Sequence, residues 1–180
     1  MIKNILDLYI IMLLLRCWMI LVLEDYSNPL VQLILKITHP LLHPFQYFVP
    51  LSYQTLEINS IVIAFFLTVI KYLIMICLLG KKYEFISMNI FLIGIISLIK
   101  IAGSLLLWII LLKVIIKLIT QGYHPIYHIL TQLTEPIISP IRNYIPNIGC
   151  IDLSPWVVVL VIHFLNGLGL TIFPKLWPLL

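Results

Sequence analysis

Charge is what this 180-residue chain has least of. Only 10% of its residues are Asp, Glu, Lys or Arg, against 62% that are hydrophobic, and the mean hydropathy is +1.14. A soluble domain carries about 25% charged residues, so a water-facing surface cannot be assembled from this composition. Disorder is excluded by the same numbers, because disordered chains are poor in apolar residues. Cysteine is scarce as well. Cys17, Cys77 and Cys150 form neither a CxxC pair nor a CxxCH haem-attachment site, and the first two lie inside apolar runs, where a small buried hydrophobe is expected. Alanine occurs only at Ala64 and Ala102, a skew that reflects coding bias, so single Ile-for-Ala choices carry little weight. A Gly-rich phosphate loop is absent, and no Ser, His and Asp stand at a catalytic spacing. No catalytic residues, cofactor or metal site are assigned, and an enzyme is disfavoured. The basic excess (net charge +4) contains no long Lys/Arg run, Lys81-Lys82 being the only basic pair. It therefore speaks of topology and anionic lipid rather than of direct nucleic-acid contact.

What is present is long apolar runs. A spanning helix needs about 20 apolar residues. Ile5–Leu23, Ile58–Leu79, Ile101–Ile119 and Pro155–Phe173 meet that length, with Ser154 read as the N-cap and Pro155 as the first helical position of the last one. The first run is not read as a cleaved signal peptide, since Asp7 interrupts it and no small-x-small site follows. Phe85–Ile99 is ambiguous: as a helix it reaches only ~22 Å. A fifth span, a re-entrant piece and the start of a long third helix all remain open. Lys3, Lys81, Lys82 and Lys175 lie at the termini and the middle loop, whereas the two long loops hold one basic residue each, Lys36 and Arg142. The positive-inside rule then places both termini in the cytoplasm and both long loops outside, which requires four crossings.

The long loops superpose at a shift of 96 residues. Asn28-Pro29 falls on His124-Pro125, Thr38-His39-Pro40 on Thr134-Glu135-Pro136, Pro44 on Pro140 and Pro50 on Pro146. With a one-residue gap, Glu57 falls on Asp152. The chain reads as two repeats, residues 1–80 and 101–180, joined by a hydrophobic segment over 81–100. Each repeat is helix, outer loop, helix. The expected fold is an all-α membrane protein, a four-helix transmembrane bundle. Each loop opens with an amphipathic segment, polar at Asn28, Gln32 and Lys36 in one and at His124, His128, Gln132 and Glu135 in the other. These are expected to lie in the membrane plane. The Pro-x3-Pro-x5-Pro spacing that follows is expected to forbid one long regular helix and to give a stiff ramp into the next span.

These residues resemble a known family. Thr134-Glu135-Pro136-Ile137-Ile138-Ser139-Pro140-Ile141-Arg142-Asn143-Tyr144-Ile145-Pro146, followed by Gly149 and Ile151-Asp152-Leu153-Ser154-Pro155, is similar to the signature of the YggT (YlmG-like) family. Asn28-Pro29 through Pro50, with Leu13-Leu14-Leu15-Arg16 ahead, resembles its first repeat. The resemblance implies a small bacterial inner-membrane protein with plastid relatives, linked to osmotic-shock tolerance, cell division and nucleoid organisation, and in plastids to cytochrome assembly. It brings no defined chemistry. The family favours a basic residue after the second proline; Arg142 keeps it and Gln46 does not.

The costly polar groups are the remaining clue. Arg16 costs roughly 2.5–3.5 kcal/mol or more at mid-membrane. Asp7 is nine residues away on the opposite face of the helix. Arg16 is therefore expected to face the bundle interior and to pair with Glu135, Asp152 or Glu57. Lys113 and Lys117 share a face one turn apart. His39/His43 and His124/His128 have i,i+4 spacing but read as solvated interfacial histidines. His163 and Asn166, with Gly167 and Gly169, read as a helix–helix packing face. Trp18, Trp156 and Trp177 fit an aromatic belt. The function expected is a non-catalytic scaffold that engages the lipid bilayer and another membrane protein, or a second copy of itself. The alternatives are a small oligomeric ion channel or transporter and, more weakly, a haem-protein assembly factor.

Overall fold

The computed structural model describes residues 2–23, 28–46, 53–79, 90–121, 123–144, 152–174 and 176–177. They form six helices: α1 (Ile2–Val22), α2 (Pro29–Gln46), α3 (Tyr53–Leu79), α4 (Ile90–Thr120), α5 (Pro125–Arg142) and α6 (Ser154–Ile172). Four stretches, Lys3–Val22, Asn59–Cys77, Ile90–Thr120 and Ser154–Ile172, are long and apolar enough to cross a bilayer. They coincide with the runs read from the sequence, except that Ile90–Ile99 belongs to α4. That helix has 31 residues, about 46 Å at 1.5 Å each, longer than a ~30 Å hydrocarbon core. Of the three openings left for Phe85–Ile99, the described part takes that of a long third apolar helix. Phe85–Asn89 lie outside the described residues.

The chain divides into two units, residues 1–102 and 103–180. In the first, α1 packs along α3, and α2 lies against both. The core there is Ile10 and Leu13 of α1, Leu42 of α2, Ile63 and Ala64 of α3, and Ile101 of α4. Gly94 of α4 sits so close to Phe65 and Val69 that an added Cβ would lie 3.1 Å and 3.3 Å from their side chains. A glycine is what lets these two helices approach in an environment where dispersion rather than water exclusion drives packing. In the second unit, Ile110 of α4, Ile138 of α5 and Val158 of α6 form the core, ringed by Ile137, Ile141, Val159 and Ile162. Large apolar side chains such as Phe66, Leu73, Trp108, Leu118 and Phe164 point outward, as a helix solvated by acyl chains requires.

The short helices α2 and α5 are the amphipathic ones. Each is started the same way. Leu30 N–H donates to Asn28 Oδ1 (3.1 Å), and Ile126 N–H donates to His124 Nδ1 (3.2 Å), with Pro29 and Pro125 directly after the cap. A proline there loses nothing, because the first N–H groups of a helix have no helical acceptor.

One expectation fails here. The helices do not stop at the prolines: α2 runs through Pro40 and Pro44, and α5 through Pro136 and Pro140. A proline removes one N–H and strains against the carbonyl four residues earlier, at about 3 kcal/mol. It does not forbid helical φ. The carbonyls that lose their helical donor belong to Lys36, Pro40, Gln132 and Pro136. Pro50 and Pro146 lie outside the described residues.

Candidate functional site

The polar groups gather where each amphipathic helix meets a span. Arg16 is only 6% exposed. Its Nη1 donates to Thr38 Oγ1 (2.8 Å) and to the Leu35 carbonyl (3.2 Å). Thr38 can accept because its own proton is directed at the Ile34 carbonyl (2.8 Å), one helical turn back. The side chain is thereby held with a lone pair facing Arg16.

The second unit repeats this arrangement. Lys113 Nζ donates to Thr134 Oγ1 (2.8 Å), and Thr134 donates to the Leu130 carbonyl (2.8 Å). Thr134 stands 96 residues after Thr38, and Leu130 stands 96 after Ile34. Lys113 stands 97 after Arg16. In both places a buried cation from a span ties down a threonine two residues ahead of an in-helix proline.

The expected carboxylate partners are thus replaced by hydroxyls. Among the described residues the salt bridges are Lys71–Asp7, Arg142–Glu135 and Arg142–Asp152, and none involves Arg16 or Lys113. The Glu57 side chain lies outside the described residues. Glu135 and Asp152 are instead occupied with Arg142. Its Nη1 donates to Glu135 Oε1 (2.9 Å), and its Nη2 and Nε donate to Asp152 Oδ2 (2.8 and 3.2 Å). Asp152 Oδ1 accepts the backbone N–H of Ser154 (2.9 Å). Arg142 therefore staples the end of α5 to the start of α6. The helix starts one place earlier than expected: Leu153 is the N-cap, Ser154 and Pro155 are both inside the first turn, and Asp152 supplies the side-chain acceptor. Burial alone would raise the Asp152 pKa; the Ser154 N–H and the Arg142 guanidinium outweigh it and hold the carboxyl below its ordinary value. The Asp152 hydrogen bond, working against burial, in turn raises Arg142.

A cavity of about 460 Å³ opens beside Arg16, lined also by Leu35, Lys36, His39 and Pro40. The buried Nε of Arg16 has no hydrogen-bond partner among the described residues. His39 and His43 place their rings 5.5 Å apart.

Sequence reasoning missed a second buried pair. Lys71 on α3 is fully buried, its Nζ 2.8 Å from Asp7 Oδ1 on α1. Its ammonium also lies 4.6 Å from the Tyr72 ring centroid, and the Tyr72 hydroxyl hydrogen-bonds Ser97 Oγ of α4 (2.8 Å). The signal was available: Asp7 is five residues from the start of α1 and Lys71 eight from the end of α3, similar depths for helices that cross in opposite directions. Lys113 and Lys117 also part company, the first buried and the second exposed. In α6, Asn166 accepts from Trp177 Nε1, and the Trp177 ring lies against Gly169. His163 and Gly167 are exposed. Within the described residues, Asn166 and Gly169 of this polar and small-residue face receive Trp177 of the chain's own C-terminal segment.

A family model described as CCB3/YggT matches residues 1–78 and 92–173. The chain belongs to the CCB3/YggT family. It is 31% identical over 185 residues to "Uncharacterized protein YggT" of Escherichia coli K12, covering 98% of this chain and 95% of that one. It is 35% identical over 177 residues to "Uncharacterized protein in proC 3'region" of Vibrio alginolyticus, again covering 98% and 95%. A Haemophilus influenzae relative is 28% identical, covering 98% and 93%. No solved structure matches. With four helices fit to span a bilayer, this YggT-family chain is a multi-pass membrane protein.

Proposed function

We propose that this YggT-family protein is a non-catalytic scaffold of the bacterial inner membrane. It is built from two copies of one unit, its termini are cytoplasmic, and it holds two amphipathic helices on the outer face of the bilayer. Their exposed faces engage lipid and another membrane protein, or a second copy of the chain, in the service of envelope assembly or osmotic tolerance. The observation that carries this reading is the twin anchoring of the surface helices. Arg16–Thr38 and Lys113–Thr134 fix α2 and α5 to their spans by buried charge-assisted hydrogen bonds. Such a bond contributes about 1.5–3 kcal/mol, enough to hold an 18-residue helix in place against fraying at its ends. The Arg142–Glu135–Asp152 cluster uses its charges on itself, as a brace does.

A photo-crosslinker placed in intact cells at Ser139 or Asn143, exposed positions of α5 and its C-cap, should join the chain to one defined membrane protein or to itself. The same probe at Trp108, 70% exposed on a span, should join mainly to lipid. Identical products from both positions would refute the scaffold reading. Ion conductance by the purified protein in liposomes would replace it with the channel reading.

A further inference from the structure

We infer that the cavity between α1 and α2 is a binding site for a phosphate-bearing anion. Arg16 lines it as a buried cation whose Nε has no partner among the described residues. A guanidinium has five donors in a rigid fork suited to phosphate oxygens, and Thr38 and Leu35 occupy only Nη1. Lys36 and His39, both exposed on α2, line the same opening. No carboxylate is among the described residues that line it.

The second unit acts as an internal control. The position equivalent to His39 is Glu135, the one equivalent to Lys36 is Gln132, and the one equivalent to Gln46 is Arg142. There, Lys113 and Arg142 stand with Glu135 and Asp152, two cations with two carboxylates, and Arg142 binds both acids. The anion is built in. At the first junction the acid carried by the amphipathic helix is replaced by a histidine and the neighbouring glutamine by a lysine, while the residue that falls on Asp152, Glu57, has its side chain outside the described residues. A cation buried without a counter-charge is costly, and at the level of a surface helix the nearest abundant anions are phosphates. This placement rests on the reading of α2 as a surface helix and is independent of any protein partner.

The test uses the full chain purified in a neutral detergent. Dihexanoyl phosphatidylglycerol and inorganic phosphate are titrated separately at constant ionic strength, and the unfolding temperature and the bound mass by native mass spectrometry are read. Wild type should show saturable stabilisation with one molecule bound. An effect of phosphatidylglycerol alone identifies a lipid headgroup as the source, and an equal effect of inorganic phosphate identifies the free ion. His39→Glu, which installs the acid of the second unit, should weaken binding at least about tenfold, the scale of one lost charge-assisted contact, while leaving the ligand-free unfolding temperature within about 2 °C. Lys36→Gln should weaken it about threefold to tenfold. Absence of saturable binding of either probe to wild type, or unchanged binding by His39→Glu, would overturn the assignment. The crosslinks from Ser139 and Asn143 in the second unit would be unaffected, so the scaffold reading fails or stands separately.

Discussion

Replacing Thr134 by valine isolates the bond that anchors α5. Valine keeps the branched shape and removes only the hydroxyl. That hydroxyl does two things: it bonds the Leu130 carbonyl one turn back and accepts from Lys113 Nζ, each at 2.8 Å. Thr131, three residues earlier, bonds the Tyr127 carbonyl at the same 2.8 Å, and no side chain among the described residues donates to its hydroxyl. Thr131→Val therefore reports the back-bond alone, whose carbonyl already serves the helix, and should shift stability by no more than about 0.5 kcal/mol. Thr134→Val carries in addition the loss of an acceptor for a lysine only 5% exposed. Truncating one partner of a buried hydrogen bond to a charged group costs about 1.5–3 kcal/mol. The difference between the variants should accordingly be at least about 1 kcal/mol. Equilibrium unfolding of each variant in mixed micelles measures it, and hydrogen exchange of the α5 amides locates it. Protection should fall along α5 in Thr134→Val and stay in Thr131→Val. Equal stabilities, or loss of protection confined to α4, would refute the idea that Lys113 holds α5 in place.

Other consequences follow from the same geometry. Asp152 has a lower pKa folded than unfolded, so its contribution is complete above the ordinary carboxylate value of about 3.9 and fades as pH falls through the lower folded value; Asp152→Asn should remove that acid-side loss from a pH series of unfolding temperatures, and an unchanged profile would count against the staple. Lys71→Met should destabilise by about 3–5 kcal/mol because it strands Asp7 against α3, whereas the double change with Asp7→Asn should recover most of the loss; additive losses in a double-mutant cycle would contradict the pair. Gly169→Val places a side chain where the Trp177 ring lies. In a variant keeping Trp177 as its sole tryptophan, it should red-shift the emission with less than about 1 kcal/mol of destabilisation, and an unshifted spectrum would show that the ring was not seated there.

Much of this could be read from the chain itself, and the parts that could not have identifiable causes. Spans declare themselves because 20 apolar residues have no other stable home, and α2 and α5 declare their starts through Asn28-Pro29 and His124-Pro125. The length of those helices is hidden by their prolines, whose spacing reads as incompatible with one long regular helix. At Pro40 and Pro136 its effect is instead one missing N–H in a helix already pinned by other contacts. The anchor was hidden by register. At a shift of 96, Arg16 falls on Leu112, and the functional equivalent Lys113 is one residue further. One residue is 1.5 Å and 100° of helix, which a long flexible side chain absorbs but an alignment does not. Thr38 and Thr134 stand out in the sequence only as part of a repeated motif, and charge alone points a buried cation to an acid. Pairing Lys71 with Asp7 needed depth matching between two helices, a comparison that no local pattern supplies.

The choice between hydroxyl and carboxylate as partner follows from where each cation lies. Lys71 is enclosed between spans with Tyr72 at its side. No headgroup can reach it, so only a carboxylate from the chain offsets its charge. Bringing in Asp7 adds the desolvation of a second ion, several kcal/mol before their attraction returns it; the 25% exposure of the Asp7 side chain reduces that penalty by leaving the acid partly solvated. On the proposed placement of α2 and α5, Arg16 and Lys113 sit at the rim, beneath helices that lie on the surface. A threonine there costs far less to bury, about 1–3 kcal/mol even unpaired, and its own helix has already satisfied its proton. It orients the cation without neutralising it. The remaining charge is met in the second unit by Glu135 and Asp152, fixed through Arg142, and in the first by whatever phosphate enters beside Lys36 and His39. Hence His39→Glu should do more than weaken anion binding. In wild type, removing anionic lipid should loosen α2 selectively, visible as lost amide protection over residues 29–46. In the variant the same removal should leave α2 as protected as α5, and equal loosening of both proteins would show that the anion has no part in holding α2 down.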